Sequence, residues 1–231
     1  EQAEQTGQPN PITAVDVLRH FTKLKCRLMP YLYAGALDTV HTGIPLMRAM
    51  LVEFPDDPTC AFLDRQYMLG ENLLVAPVFA ADGDVTYYVP AGRWTHFLTG
   101  EVKQGPTWVR EAHDALSIPL LVRPNTLLAV GREDGRPDYA YADGVTVQLY
   151  ALADGAACTA VIPTLTGETA ATFQATRTGS AITVTCEGQA NGWRLLLVGV
   201  DAVTTTGGTV EQTANGVLII PSATATLQIT L

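Results

Sequence analysis

Apolar residues recur at helical spacing in the first part of the chain and at strand spacing in the rest, and the change falls near residue 70. Thr13 stands where an N-cap is needed, Asp16 follows three residues later as the acid of a capping box, and Val17, Phe21, Leu24 and Leu28 mark one helical face. Pro30 interrupts this period. Proline has no N–H for the helical ladder and its ring crowds the preceding turn, so the pattern predicts a helix that kinks at Pro30 or restarts there. A second helical stretch over 31–42 stops at Gly43, with His41 near its negative end. Residues 46–54 are apolar on both parities except for Arg48 and Glu53, as in a strand covered on both faces. Pro55-Asp56-Asp57-Pro58 ends it. Asp57 then caps a short helix with Pro58 in its first position, and Phe62, Leu63, Gln66 and Leu69 keep helical spacing up to Gly70.

Beyond Gly70 the period changes to that of strands. Short apolar or alternating runs at 73–79, 85–89, 93–98, 118–122 and 127–130 are separated by Asp-Gly, Pro-Ala-Gly, Thr-Gly and Arg-Pro-Asn turns, the spacing of an antiparallel sandwich. A Thr- and Gly-rich set follows at 146–152, 169–175, 182–186, 193–200, 217–220 and 225–231, so a domain boundary is expected at about 132–144. Residues 1–11 read as a polar, turn-rich lead.

The stretch RAMLVEFPDDPTCAFLDRQYMLGENLLVAPVF (residues 48–79) resembles the junction between the catalytic barrel and the first C-terminal domain of family-31 glycoside hydrolases, in the form found in bacterial alpha-xylosidases. The resemblance extends upstream through FTKLKCRLMPYLY (21–33). Downstream it continues through GRWTHFLTGE (92–101), RPNTLLAVG (123–131) and RPDY (136–139), then thins after Gly144 until the closing ATLQITL. It implies a mainly β chain of two antiparallel β-sandwich domains preceded by the last helix-strand unit of a (β/α)8 barrel. The expected division is 1–70 for the barrel end, 71–135 for a proximal sandwich and 136–231 for a distal one. The helix-then-strand order of 13–54 suits the closing step of such a barrel.

Composition narrows the choice of partners. A net charge of -9 excludes a nucleic-acid role that depends on clustered Lys and Arg, and the run lengths exclude a membrane-spanning helix, while neutral carbohydrate remains compatible. Cys26, Cys60, Cys158 and Cys186 are widely spaced in apolar periodic segments, which points to a reduced, cytoplasmic setting; the start EQAEQTGQPNP has no features of a signal peptide.

A retaining glycosidase needs two carboxyl groups about 5 Å apart across the scissile bond. The resemblance implies that both are aspartates on barrel strands upstream of the matching region, together with a histidine just ahead of the FTKLKC-like helix. No segment here resembles those motifs, so no catalytic residue is assigned. His20, His41, His96 and His113 share no ligand spacing, so no metal and no cofactor is expected. Asp56 and Asp57 follow the C-terminal end of a barrel-like strand, the face on which such enzymes keep their sites, although capping explains Asp57 by itself. Trp94 and Trp108 are candidate sugar-stacking residues, weighed against a place in the core. Arg48 and Glu53, five apart on a strand, are expected on opposite faces, each with an ion-pair partner elsewhere.

The resemblance thus implies the C-terminal part of a retaining, exo-acting alpha-glycosidase for terminal alpha-linked xylose or glucose, this segment closing and buttressing a barrel. The alternatives are a non-catalytic carbohydrate-binding module and a structural subunit completing a separately encoded barrel. The expected partners are an N-terminal barrel portion, carbohydrate, or a second copy in a homo-oligomer. One barrel unit leaves much apolar surface bare, so residues 1–70 are expected to be labile, or to pair with another copy or a partner chain through that surface, whereas the sandwich beyond Leu73 holds itself together.

Overall fold

The computed structural model describes residues 12–222 and 226–231; the expected polar lead at 1–11 and the start of the last strand at Ala225 lie outside them. The first element is a single helix, α1 (Ala14–Thr42), closed at its start by the Thr13–Asp16 capping box and at its end by Gly43 in the left-handed conformation. Val17, Phe21, Leu24 and Leu28 are its inward residues, as the period requires. The helix runs on through Pro30 instead of restarting there.

The reason is visible in the hydrogen bonds around that proline. Pro30 cannot donate to the carbonyl of Cys26, and the Tyr139 hydroxyl donates to that oxygen instead, at 2.8 Å. One residue on, the Arg27 carbonyl accepts the Gly131 N–H at 2.7 Å. Donors from the distal half of the chain thus satisfy carbonyls beside the proline and bolt α1 to that half. Gly131 is required by this contact, because a Cβ there would lie 1.9 Å from the Tyr139 hydroxyl oxygen. Tyr139→Phe is expected to leave a buried carbonyl unpaired and cost about 1–3 kcal/mol, and Gly131→Ala to cost at least as much, both read from urea unfolding.

Residues 46–54 do not form one buried strand. They form β1 (Met47–Arg48) and a single-turn helix, α2 (Met50–Glu53). A 3-10 turn over Pro58–Phe62 follows, capped by Asp57, and the expected helix up to Gly70 ends there, since 67–69 is already strand. β1 opens an antiparallel six-stranded sheet with β2 (Tyr67–Leu69), β3 (Leu73–Val75), β4 (Asp84–His96), β5 (Val102–Ala112) and β6 (Leu120–Val122), in the order β1-β2-β3-β6-β4-β5. Gly70 makes the β2–β3 turn at φ 65°, where the Tyr31 hydroxyl of α1 donates to the Leu69 carbonyl and accepts from Asn72 N–H.

The two strands expected at 85–89 and 93–98 are one long strand, β4. Its register with β5 slips between Val89 and Gly92, and only the second half pairs with β6. The first half folds over the sheet, so that Tyr87 and Val89 share a core with Met50, Met68, Leu74, Trp94 and Leu121. One sheet thereby makes two layers.

The rest of the chain is a sandwich of two five-stranded sheets. One holds β7 (Thr126–Val130), β8 (Thr146–Tyr150), β12 (Arg194–Val198), β14 (Gly208–Thr213) and β15 (Gly216–Pro221), in the order β14-β15-β12-β8-β7. The other holds β9 (Ala157–Pro163), β10 (Thr169–Thr178), β11 (Ala181–Gly188), β13 (Thr204–Thr206) and β16 (Thr226–Thr230), in the order β13-β16-β11-β10-β9. Val147, Leu149, Phe173, Val184, Leu195 and Ile229 fill the space between them by strand alternation. β7, placed in the proximal unit by the sequence, hydrogen-bonds β8 of the distal sandwich, because the Arg123-Pro124-Asn125 link carries it straight across.

The other face of the β7-β8-β12 sheet is also covered. Leu128, Val130, Tyr150, Leu196 and Val198 meet Leu28 of α1 and Leu73, Val75, Leu120 and Val122 of the six-stranded sheet in a third core. The C-terminal half of α1 packs on β7 and β9, the two edge strands on one side of the sandwich, with Met29 and Tyr33 against its core. Covering both edges hides unpaired backbone that would otherwise template association. α1 is thus a wall shared by both β units, whereas the sequence pattern set residues 1–70 apart from the sandwich. No helix of the described residues is long and apolar enough to cross a membrane.

Candidate functional site

The expected separation of Arg48 from Glu53 fails for the same reason as the expected strand. Once the chain turns into α2, strand alternation no longer applies, and the two side chains meet in a direct ion pair. Arg48 is 3% exposed and also reaches Asp38 of α1 at 3.3 Å, while Glu53 receives a second guanidinium, Arg123, at 3.1 Å. Arg123 lies 4.9 Å over the Phe54 ring, and Phe54 packs on Trp94. The network joins α1, α2 and the β6–β7 link, and it leaves neither charge free to act on a substrate.

The residues outside this network are unusually apolar. Met47, Leu51, Val52 and Phe62 are 63%, 46%, 49% and 93% exposed, and they come from the same short segment that holds Arg48 and Glu53. Large apolar side chains left exposed together are the usual composition of an interaction surface.

Among the sequence candidates, Trp94 is fully buried, with its indole N–H donated to the Pro90 carbonyl at 3.0 Å, so it belongs to the core and stacks on no sugar. Trp108 is 56% exposed and packs on Tyr88, whose hydroxyl donates to Asp57 at 2.8 Å. Asp57 also caps the 3-10 turn through the Thr59 N–H, which occupies both of its oxygens. Asp56 is exposed beside it. The fold thus brings Asp57 and Trp108 together on Tyr88, a residue the sequence reading did not single out. Among the described residues no group of three or more His, Cys, Asp or Glu is arranged to hold a metal.

A second polar cluster was also missed. Glu111 on β5 accepts from Lys103 at 2.7 Å, Tyr87 at 2.8 Å and His113 Nε2 at 3.0 Å, and His113 Nδ1 lies 3.0 Å from the Ser117 hydroxyl. The serine oxygen already accepts from the Asp114 N–H, and the carboxylate has three donors, so the group ties the loop after β5 to the β4–β5 hairpin. Burial pushes the Glu111 carboxyl up, but the hydrogen bonds from Lys103, His113 and Tyr87 outweigh it and hold the pKa down at about 2, against 4.5 for a free glutamate. A depressed folded-state pKa gives stability that is complete above 4.5 and is lost as pH falls through the folded value. The stability difference between the parent and Glu111→Gln is therefore expected to be full at neutral pH and to shrink from about 4.5 towards about 2, measured by urea unfolding at several pH values. His96, stacked on His113, is held below the usual imidazole range by burial and by its neighbour, in keeping with an Nδ1 that accepts the Leu98 and Thr99 N–H groups.

Two family models cover most of this architecture. The glycosyl hydrolase family 31 C-terminal domain matches residues 43–128, and the C-terminal domain of alpha-xylosidase YicI matches residues 140–231. Among curated proteins, Alpha-xylosidase XylQ of Lactiplantibacillus pentosus is 39% identical over 146 residues, covering 62% of this chain and 19% of that protein. An Alpha-xylosidase of Emericella nidulans is 42% identical over 140 residues, covering 57% and 18%. The chain thus spans about a fifth of the length of the curated relatives it matches. In fold it is similar to a GH31 dextranase of Flavobacterium johnsoniae, with a TM-score of 0.78 at 20% identity over 95% of this chain and 33% of that one. It is likewise similar to a cycloalternan-forming enzyme of Listeria monocytogenes, with a TM-score of 0.79 at 20% identity over 100% and 26%. With the two models adjacent along it and the six-stranded sheet and sandwich in sequence, the chain belongs to the C-terminal region of glycosyl hydrolase family 31.

Proposed function

We propose that this chain is the C-terminal part of a retaining, exo-acting alpha-glycosidase that releases terminal alpha-linked xylose, and that its own task is to close and buttress the catalytic barrel. The observation that carries the reading is the succession of the two family-31 C-terminal models, the second of them from an alpha-xylosidase. The preference for xylose over glucose rests on the two alpha-xylosidases at 39% and 42% identity. The exposed Met47, Leu51, Val52 and Phe62 supply the face that the barrel covers. The free thiols of Cys26, Cys60, Cys158 and Cys186 are in keeping with a reducing, cytoplasmic setting.

The purified chain alone is expected to show no turnover of an aryl alpha-xyloside, since nucleophile and acid act as a unit and neither motif is present. Turnover abolished by Asp56→Ala would overturn this assignment of roles. A carbohydrate-binding role is the second reading, favoured by the exposed Trp108 against Tyr88. It requires affinity for xylo- or gluco-oligosaccharides that Trp108→Ala removes.

A further inference from the structure

β8 and β12 run parallel, placing Arg194 beside Thr146, Leu196 beside Gln148 and Val198 beside Tyr150 on the face turned away from the sandwich core. One end of that face is closed by α1, β3 and β6. The other end opens as a cleft of about 540 Å3 between α1, the β4–β5 turn and the β14–β15 turn. Lys23, Arg27 and Arg194 line it, in a chain whose net charge is -9. Asp134, the one carboxylate among the described lining residues, is taken by Lys23 at 3.0 Å, and Arg27 Nε donates to the Gly131 carbonyl.

The half-buried Arg194 side chain has no acid and no hydrogen-bond acceptor among the described residues, and Leu196, its neighbour on the same face, is buried. Thr146 beside it is 8% exposed, with no partner for its hydroxyl among the described residues. The Tyr150 hydroxyl donates to the Gln148 side-chain oxygen, which fixes that amide and leaves its NH2 group as a donor. Asn215 adds an amide from the β14–β15 turn. The cleft therefore offers one unpaired guanidinium and several neutral groups able to donate, with the Asp134 carboxylate already engaged. A guanidinium against apolar walls is stabilised most by an anion that accepts two of its N–H groups at once.

We propose that this cleft binds a small polyhydroxy anion, a sugar carrying a phosphoryl or carboxyl group. The charged group lies against Arg194, and the sugar hydroxyls meet Thr146, Gln148 and Asn215. Its volume lies within the roughly 300–1,000 Å3 usual for small-molecule sites. The site stands apart from the barrel-facing residues and does not depend on the hydrolytic reading.

The test is titration of the 15N-labelled chain with glucose 6-phosphate, glucuronate, glucose and inorganic phosphate, following the Arg194 Nε–H and Gln148 amide signals by NMR. Saturable shifts with at least one charged sugar are expected, with glucose at least about tenfold weaker. Arg194→Gln should weaken that binding about 10–100-fold, the range of a charge-assisted contact. Thr146→Val, which keeps the strand's shape, should weaken it less. The two charged sugars distinguish phosphoryl from carboxyl recognition. Silence of these signals at about 10 mM of both charged sugars would overturn the proposal. So would equal binding of glucose, affinity unchanged in Arg194→Gln, or inorganic phosphate binding as well as glucose 6-phosphate.

Discussion

A chain shortened to residues 44–231 is expected to lose its native fold, although it keeps the sandwich sheets complete. Removing α1 strips cover from the third core and from the edge strands β7 and β9 at once. Leu24, Leu28, Met29, Tyr31, Leu32 and Tyr33 leave with it, each packed on one of the cores. At ~1.5–3 kcal/mol for each large apolar side chain the gross loss is roughly 9–18 kcal/mol. A typical domain holds about 5–15 kcal/mol of net stability. Two bare edges then favour association. Circular dichroism and gel filtration check this, with loss of cooperative unfolding or aggregation as the expected result. By the same argument, limited proteolysis of the full chain should leave α1 in the resistant core. A resistant fragment that begins near Gly70 would show that the helix is dispensable.

Glu53→Ala is expected to destabilise the chain by about 3 kcal/mol, the low end for a broken buried pair, because it leaves Arg48, 3% exposed, with only its longer contact to the half-exposed Asp38. Arg48→Ala should cost a similar amount, since Glu53 loses one of its two guanidinium groups and a buried side chain is truncated. Paired removal behaves differently. Arg48→Met with Glu53→Leu takes both charges out together, and its loss should be clearly smaller than the sum of the single ones. Urea unfolding of the parent, Arg48→Met, Glu53→Leu and the double variant forms the cycle. Additive losses would mean that the two side chains act independently, against the ion pair seen here.

The elements most legible in the sequence are those that bury one face. The α1 face, its capping box and the inner strands of the sandwich all follow from apolar spacing. The strands that escaped notice are β2, which read as the end of a helix, and β5, β9, β13 and β14, which are all sheet edges. An edge buries little, and β5 even carries Pro106 within VKQGPTWVREA, so its pattern is weak for a physical reason. The continuity of α1 through Pro30 was hidden because the donor that makes it tolerable, Tyr139, lies 113 residues beyond Cys26, whose carbonyl it satisfies. The RPDY motif was visible as a resemblance, but its task was not. The pairing of Arg48 with Glu53 was missed because a strand period was assumed where the chain makes a helical turn. Trp108 was a fair candidate and Trp94 was not, since nothing in local spacing separates an indole on the open face of an edge strand from one under a folded-over hairpin.

The proposed role of this chain is to complete a catalytic barrel through its exposed apolar face. The most direct measurement mixes the purified chain with a family-31 alpha-xylosidase barrel lacking its own C-terminal segment, and follows release of an aryl group from an alpha-xyloside. The account predicts no turnover by either part alone, turnover on mixing, and loss of that gain when Val52 and Phe62 are both changed to Asp in a chain that still folds. Turnover by this chain alone, or a mixture as active with the double variant as with the parent, would contradict it.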